Sequence, residues 1–321
     1  MHRAAIGGAH RRSLAFGVLF ALAVTQSLIT TFQAIVLGVL QGATELFPVS
    51  SLGHTVLFPT LFGWHNIVAW QSEPESPWLA FVVMLHVGSA VGLLIFFWRD
   101  WVAIIGAFFH TLRTRRIETS TERLAWLIIA ATIPVGILGL LLEHTVRVAL
   151  AKPLAAAIFL VVNGLILLGG ERFRKRAEVR ELAAREGMKA DGGRRLDTME
   201  YREAGVIGLA QSSALIAGIS RDGVCMVVGL IRGLDNSDAA RFGFLLATPA
   251  IFAAGLLKIG DLTGPLGDHG IRRAAVIAAV AAAATAIVCV RFLTQYFKTR
   301  TLTPFGIYCV VFGAAMVIYN V

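Results

Sequence analysis

Six stretches of the chain run apolar for about the length of a membrane crossing: 78–98, 124–142, 153–170, 242–259, 272–293 and 304–320. A helix rises about 1.5 Å per residue, so a hydrocarbon core of roughly 30 Å needs about 20 mostly apolar residues. Each stretch is nearly free of charge and predicts a transmembrane helix. Trp78, Trp98, Trp101 and Trp126 stand at or near their ends, where amphipathic rings favour the membrane–water boundary.

Two further apolar stretches are interrupted by polar residues. Phe32–Leu61 contains Gln41, Glu45, Pro48, Ser50, Ser51 and His54, and Ala204–Leu230 contains Gln211, Ser212, Ser213, Ser220, Arg221 and Asp222. Pro48 lacks a backbone donor, while Gly53, Gly218 and Gly223 permit tight backbone turns. Each stretch therefore predicts a helix, a polar turn and a returning helix. Irregular backbone at membrane depth survives only where it packs in protein or lines a wet cavity. Both stretches read as re-entrant hairpins.

The two hairpins resemble each other at an offset of 170 positions. Ala34 aligns with Ala204, Val36 with Val206, Gly38 with Gly208, Gln41 with Gln211, Ser50 with Ser220 and Gly53 with Gly223. The chain divides into repeat one (about 31–170), a charged cytoplasmic loop (171–203) and repeat two (about 204–321), all within one membrane domain. Each repeat is a hairpin followed by three spans. Because three spans separate the hairpins, they enter from opposite sides, as in an inverted repeat with both polar turns near the midplane.

Composition agrees with a lipid environment. The 321 residues are 56% hydrophobic and 15% charged, against about 45–50% and about 25% for soluble domains. The net charge of +9 matters through its placement. The stretches 99–123, 171–203, 232–241 and 291–303 carry 20 of the 29 Lys and Arg residues, which assigns that side to the cytoplasm. The first hairpin then enters from outside. No aromatic–basic module accompanies the charge, so no nucleic-acid partner is expected. The charge run in 171–203 reads as a solvated loop, with contact to anionic lipid as the alternative.

The first 30 residues begin with His2, Arg3, His10, Arg11 and Arg12 and continue with an apolar run from Leu14 to Val24. That pattern fits a cleavable secretory signal, an uncleaved anchor, or sequence upstream of the functional start. Cys225, Cys289 and Cys309 lie far apart in apolar stretches, which fits buried thiols and neither a disulfide framework nor a zinc site.

An ionisable group inside a membrane is unfavourable by about 2.5–3.5 kcal/mol even on insertion scales. Glu45, His54, Arg221 and Asp222 place four of them in two short turns. Arginine, hydroxyls and backbone N–H groups exposed by glycine suit a phosphate. A carboxylate beside them suits a divalent cation, and histidine supplies a base, acid or nucleophile. The set fits hydrolysis of a lipid phosphate ester or anhydride, and equally a phosphate transporter.

The stretch QGATELFPVSSLGH resembles the first signature of the bacterial undecaprenyl-diphosphate phosphatases, the bacitracin-resistance family. AGISRDGVC resembles the second, keeping Gly218, Ser220, Arg221 and Gly223, and FGFLLATPA resembles the span that follows. The resemblance covers nearly everything from residue 31 onward. It implies hydrolysis of undecaprenyl diphosphate to undecaprenyl phosphate and phosphate, recycling the lipid carrier of peptidoglycan synthesis. It also implies an inner-membrane enzyme with an outward-opening site and Mg²⁺ or Ca²⁺ as cofactor.

By matched position, the resemblance gives Glu45 metal support or acid–base work, and His54 the role of base or nucleophile. Ser50 and Ser51 position phosphate or hold the hairpin, with a serine nucleophile activated by His54 as an alternative. Ser220 and Arg221, framed by Gly218 and Gly223, clamp the diphosphate. Gln41, Ala217, Asp222 and Cys225 depart from the commoner family residues. Gln41 removes one candidate metal ligand from the substrate-binding turn. Asp222 either supplies the missing ligand or pairs with Arg221 and weakens the clamp. His86, mid-span, reads as an interhelical hydrogen bond. The rival functions are a transporter or flippase of the same lipid, and a paralogue acting on another prenyl diphosphate. Membrane lipid is an expected partner, and a homodimer is one assembly the sequence leaves open.

Overall fold

The computed structural model describes residues 29–72, 78–150, 152–184, 195–263 and 269–321. Most of the signal-like segment 1–30 lies outside them. Among the described residues the chain forms twelve α-helices: α1 (Thr31–Leu46), α2 (Ser51–Leu61), α3 (His65–Ser72), α4 (Trp78–Phe96), α5 (Trp98–Thr114), α6 (Ser120–Leu150), α7 (Pro153–Ala184), α8 (Tyr201–Gln211), α9 (Arg221–Ile231), α10 (Asn236–Thr263), α11 (His269–Tyr296) and α12 (Thr303–Asn320).

Among the described residues, six helices contain segments long and apolar enough to cross a membrane: Trp78–Phe96, Ser120–Leu142, Pro153–Arg176, Asn236–Leu257, Ile271–Tyr296 and Thr303–Asn320. They coincide with the six expected spans, and the chain is an all-α, multi-pass membrane protein. The two interrupted stretches fold as helix–turn–helix units, α1–α2 and α8–α9. Their arms have 16, 11, 11 and 11 residues, short of the roughly 20 that a crossing requires.

The charged stretch 171–203 differs from the loop expected. Helix α7 runs on as far as Ala184, and Leu196–Thr198 forms a 3₁₀ turn before α8 begins at Tyr201. The extension is rich in Glu, Arg, Lys and Ala, which are good helix formers, and contains no Pro or Gly. Arg174 Nε donates to Glu171 Oε1 at 2.7 Å across one turn. Residues 185–194, the rest of that stretch, lie outside the described residues. Trp78 also departs from expectation. Its ring is buried against Trp70 and Phe81, with centroids 5.4 and 5.5 Å away, whereas Trp98 is exposed as a boundary residue should be.

Helix α11 packs against both α1 and α4, α7 pairs with α12, and α8 leans on α6. Small residues permit these approaches. A Cβ on Gly38 would strike the Ala278 carbonyl of α11, and one on Gly208 would strike the Ala131 carbonyl of α6. Gly164 of α7 and Gly306 of α12 face each other in the same way. Close backbone contact replaces hydrophobic driving force where the solvent is itself apolar. This packing holds the two polar turns together inside the bundle.

Candidate active site

Each polar turn ends by capping the helix that follows. Ser50 Oγ accepts from Gly53 N at 3.2 Å to begin α2, and Ser220 Oγ accepts from Gly223 N at 3.1 Å to begin α9. A serine at this position satisfies one of the backbone donors that a helix start leaves unpaired. Ser50 sits at φ +70°, a region non-glycine residues rarely adopt, so its turn is held strained by its surroundings.

The turns touch each other. Ser50 Oγ also accepts from Gly218 N at 3.2 Å, and a Cβ on Gly53 would lie 2.9 Å from Gly218 Cα. Gly218 itself has φ +104° and abuts the Ala156 carbonyl of α7, so both conformation and space require glycine there. Asn163, fully buried on α7, bridges the turns a second time. Its Nδ2 donates to Pro48 O at 3.0 Å, and its Oδ1 accepts from Ser220 N at 2.9 Å.

On this scaffold sits a buried charge network. Arg221 Nη2 donates to Glu45 Oε1 at 2.6 Å and lies 3.4 Å from Asp222 Oδ1. Glu45 Oε2 accepts from the Ser51 hydroxyl and from Gln41 Nε2 at 2.9 Å. His86 Nε2 stands 3.4 Å from that same oxygen and 3.3 Å from Ser51 Oγ. The expected interhelical bond of His86 is therefore present, and it ends on this network. Glu45 has both oxygens engaged. By contrast, Arg221 Nη1, both Asp222 oxygens and Gln41 Oε1 are buried without a hydrogen-bond partner.

The structure thus brings Gln41, Glu45, Ser51, Arg221 and Asp222 into one network. Ser50, Gly218, Ser220 and Gly223 form its supporting turns. His54 is placed differently. It is fully buried, with Nδ1 2.7 Å from the Ser50 carbonyl and Nε2 2.8 Å from the Tyr308 hydroxyl. A carbonyl only accepts, so in the neutral ring Nδ1 carries the proton and Nε2 accepts from Tyr308. Its ring stacks near Tyr308 and Phe312, with centroids 5.7 and 5.4 Å away. Both ring nitrogens are engaged, and by neither the Ser50 hydroxyl nor Glu45.

Asn163 and Tyr308 were missed by the reading of the sequence. Each is one polar residue in an otherwise apolar span, a pattern that an ordinary interhelical hydrogen bond also produces. The cysteines match expectation: all three are free, and Cys225 and Cys309 are buried.

Two capped helix starts meeting around an arginine–carboxylate network inside a multi-pass bundle define a membrane protein with an internal polar site. The comparisons with known proteins place the chain more narrowly. A family profile described as bacitracin resistance protein BacA matches residues 34–315, and the chain belongs to that family. It is 53% identical to undecaprenyl-diphosphatase 2 of Frankia alni over 89% of this chain and 96% of that protein. It is 51% identical to undecaprenyl-diphosphatase of Mycolicibacterium paratuberculosis with the same coverage. The protein of that name from Gluconacetobacter diazotrophicus is 42% identical over 89% of this chain and 95% of its own length.

Proposed function

We propose that this chain hydrolyses undecaprenyl diphosphate to undecaprenyl phosphate and inorganic phosphate, and so recycles the lipid carrier of peptidoglycan synthesis. The family membership and the relatives' names support the reaction. The observation that carries it in this molecule is Arg221. Its Nη2 is tied to Glu45 while its Nη1 is buried without a partner, a donor held ready for a phosphate oxygen.

Phosphoryl transfer demands in-line positioning and neutralised charge more than covalent chemistry. Arg221 clamps the diphosphate, with Glu45 fixing its guanidinium and Ser51 and Gln41 fixing Glu45. The starts of α2 and α9 add the positive ends of two helix dipoles. Gly218 and Gly223 let the backbone approach, and Ser50 and Ser220 shape the turns. His54 serves as base or nucleophile once the substrate displaces the Tyr308 hydroxyl from Nε2.

Mg²⁺ or Ca²⁺ fits the donors present. Among the described residues, no three His, Cys, Asp or Glu side chains cluster to hold a metal by themselves. Asp222, however, offers two oxygens without hydrogen-bond partners, one of them in ion-pair range of Arg221, and one or two carboxylates plus substrate phosphate oxygens are a usual Mg²⁺ environment. Asp222 would hold the ion, with Glu45 beside it. A bound cation supplies neutralisation of the diphosphate charge.

We further read the two halves as an inverted repeat in the bacterial inner membrane, with the site opening outward. Matching roles at the offset of 170 support the repeat. Ser50 and Ser220 cap in the same way, and Gly38 and Gly208 each meet a carbonyl of a long helix. The basic stretches named above support the orientation. The test is phosphate release from undecaprenyl diphosphate by the purified chain, with Mg²⁺ and with chelator. Chelator-sensitive release is expected, lost in Arg221→Ala. No release under either condition, or full release by Arg221→Ala, rejects the assignment.

A further inference from the structure

A second apolar feature lies away from the two turns. A trough of about 520 Å³ is bordered by Trp101, Ile104 and Phe108 of α5, by one face of α6, and by Pro249 of α10. Along α6 its lining runs from Ala125 to Leu140, about 22 Å at the helical rise. Gly136 lies within that lining, and a Cβ added there meets nothing within 4 Å. The outward rim, Ile105, Ile133, Ile137 and Leu140, is exposed.

The two ends of the trough differ in charge. The Ala125 end lies beside the C-terminal part of α5, where Trp126 Nε1 donates to Thr111 Oγ1, and is flanked in the chain by Arg113, Arg115, Arg116 and Arg123. The neighbouring acids are largely taken. Glu118 lies 3.8 Å from Arg116, and Glu122 holds His110 and two backbone N–H groups. One buried donor at this end, Arg123 Nε, has no hydrogen-bond partner. No lining residue is charged, and beyond Leu140 the helix sequence offers one acid, Glu143, and one arginine, Arg147, in place of the arginine cluster. Helix α5 also exposes Trp98, Val102, Ile105, Phe109 and Leu112 beside its arginines, the composition of a helix lying in a membrane boundary.

We propose that this trough seats one anionic phospholipid, its chain along α6 and its phosphate at the arginine-rich end. Charge complementarity selects the occupant. A zwitterionic lipid would bring an ammonium into the same group of guanidiniums, whereas an anionic headgroup brings phosphate oxygens to the unpaired Arg123 Nε without an added cation.

Native mass spectrometry of the full chain released from mixed micelles tests this with phosphatidylglycerol and phosphatidylcholine as probes. The wild type should retain one phosphatidylglycerol at least five-fold more often than phosphatidylcholine. Gly136→Phe, which projects into the trough without a clash, should lower that retention at least five-fold. Arg123→Gln should reduce the headgroup preference to below two-fold. A second measurement needs no variant: chain-brominated phosphatidylglycerol in vesicles should quench tryptophan fluorescence at least twice as strongly as brominated phosphatidylcholine. Equal retention or quenching by both lipids overturns the proposal. So does retention unchanged in Gly136→Phe, or a polyprenyl phosphate displacing phosphatidylglycerol at equal concentration.

Discussion

Arg221 Nη2 lies 2.6 Å from Glu45 Oε1, although 176 positions separate the two residues. Glu45 is buried and Arg221 largely so, and each protects the other from being an unpaired charge in an apolar interior. Removing one partner of such a pair destabilises by about 3–5 kcal/mol, because the remaining charge stays buried. Glu45→Gln and Arg221→Gln should each lower kcat/KM by at least about 100-fold. The double variant should lose much less than the product, the signature of two groups acting as one unit. Phosphate-release kinetics on all four proteins measure this, and strictly multiplicative losses contradict it.

Asn163 uses both halves of one amide, donating to Pro48 and accepting from Ser220. Asn163→Asp keeps the shape but loses the donor, and Asn163→Leu loses both functions. An unsatisfied buried backbone group is unfavourable by about 1–3 kcal/mol. Asn163→Leu should therefore unfold at lower temperature than Asn163→Asp, and both below wild type. Thermal unfolding in detergent gives the order, and a Tm unchanged in either variant rejects the bridge.

Tyr308→Phe should keep the ring that lies against His54 while removing the hydroxyl from Nε2. The expected outcome is a kcat lowered about ten-fold with KM within about two-fold, since orientation of a reacting group acts mainly on the chemical step. Tyr308→Ala should lose the stacking as well and fall further. Equal rates for wild type and Tyr308→Phe would remove any role for this hydroxyl.

Asp222 carries two buried oxygens without hydrogen-bond partners beside Arg221. If those oxygens hold a cation, Asp222→Ser should raise the Mg²⁺ concentration for half-maximal activity about ten-fold, by loss of a charged ligand. A metal titration of the variant decides the matter. A faster enzyme with unchanged Mg²⁺ dependence would show that Asp222 merely restrains the arginine.

Glycine substitutions separate the turns from the surface. Gly218→Ala forces a Cβ onto the Ala156 carbonyl at φ +104° and should destabilise by more than about 2 kcal/mol, with loss of activity. Gly106→Ala, where a Cβ meets nothing within 4 Å, should leave both unchanged. Thermal unfolding and phosphate release on the two variants provide the check.

Much of this molecule was legible in its residues. Hydrocarbon tolerates neither unpaired backbone nor stray charge, so length and polarity alone delimit the six spans and mark Glu45, His54, Arg221 and Asp222 as exceptional. The offset of 170 aligned Ser50 with Ser220, and in the structure both cap helices. The tertiary structure decided which of these residues meet. Only the packing of α7 and α12 around the turns brings Asn163 to Pro48 and Ser220, and Tyr308 to His54. It also separated His54 from the Glu45–Arg221 network, which shared membership of two short turns had suggested it would join. Hydropathy reads how each residue suits its solvent. Partnership between residues far apart in the chain depends on helix approach, and that is set by side-chain shape across many contacts at once.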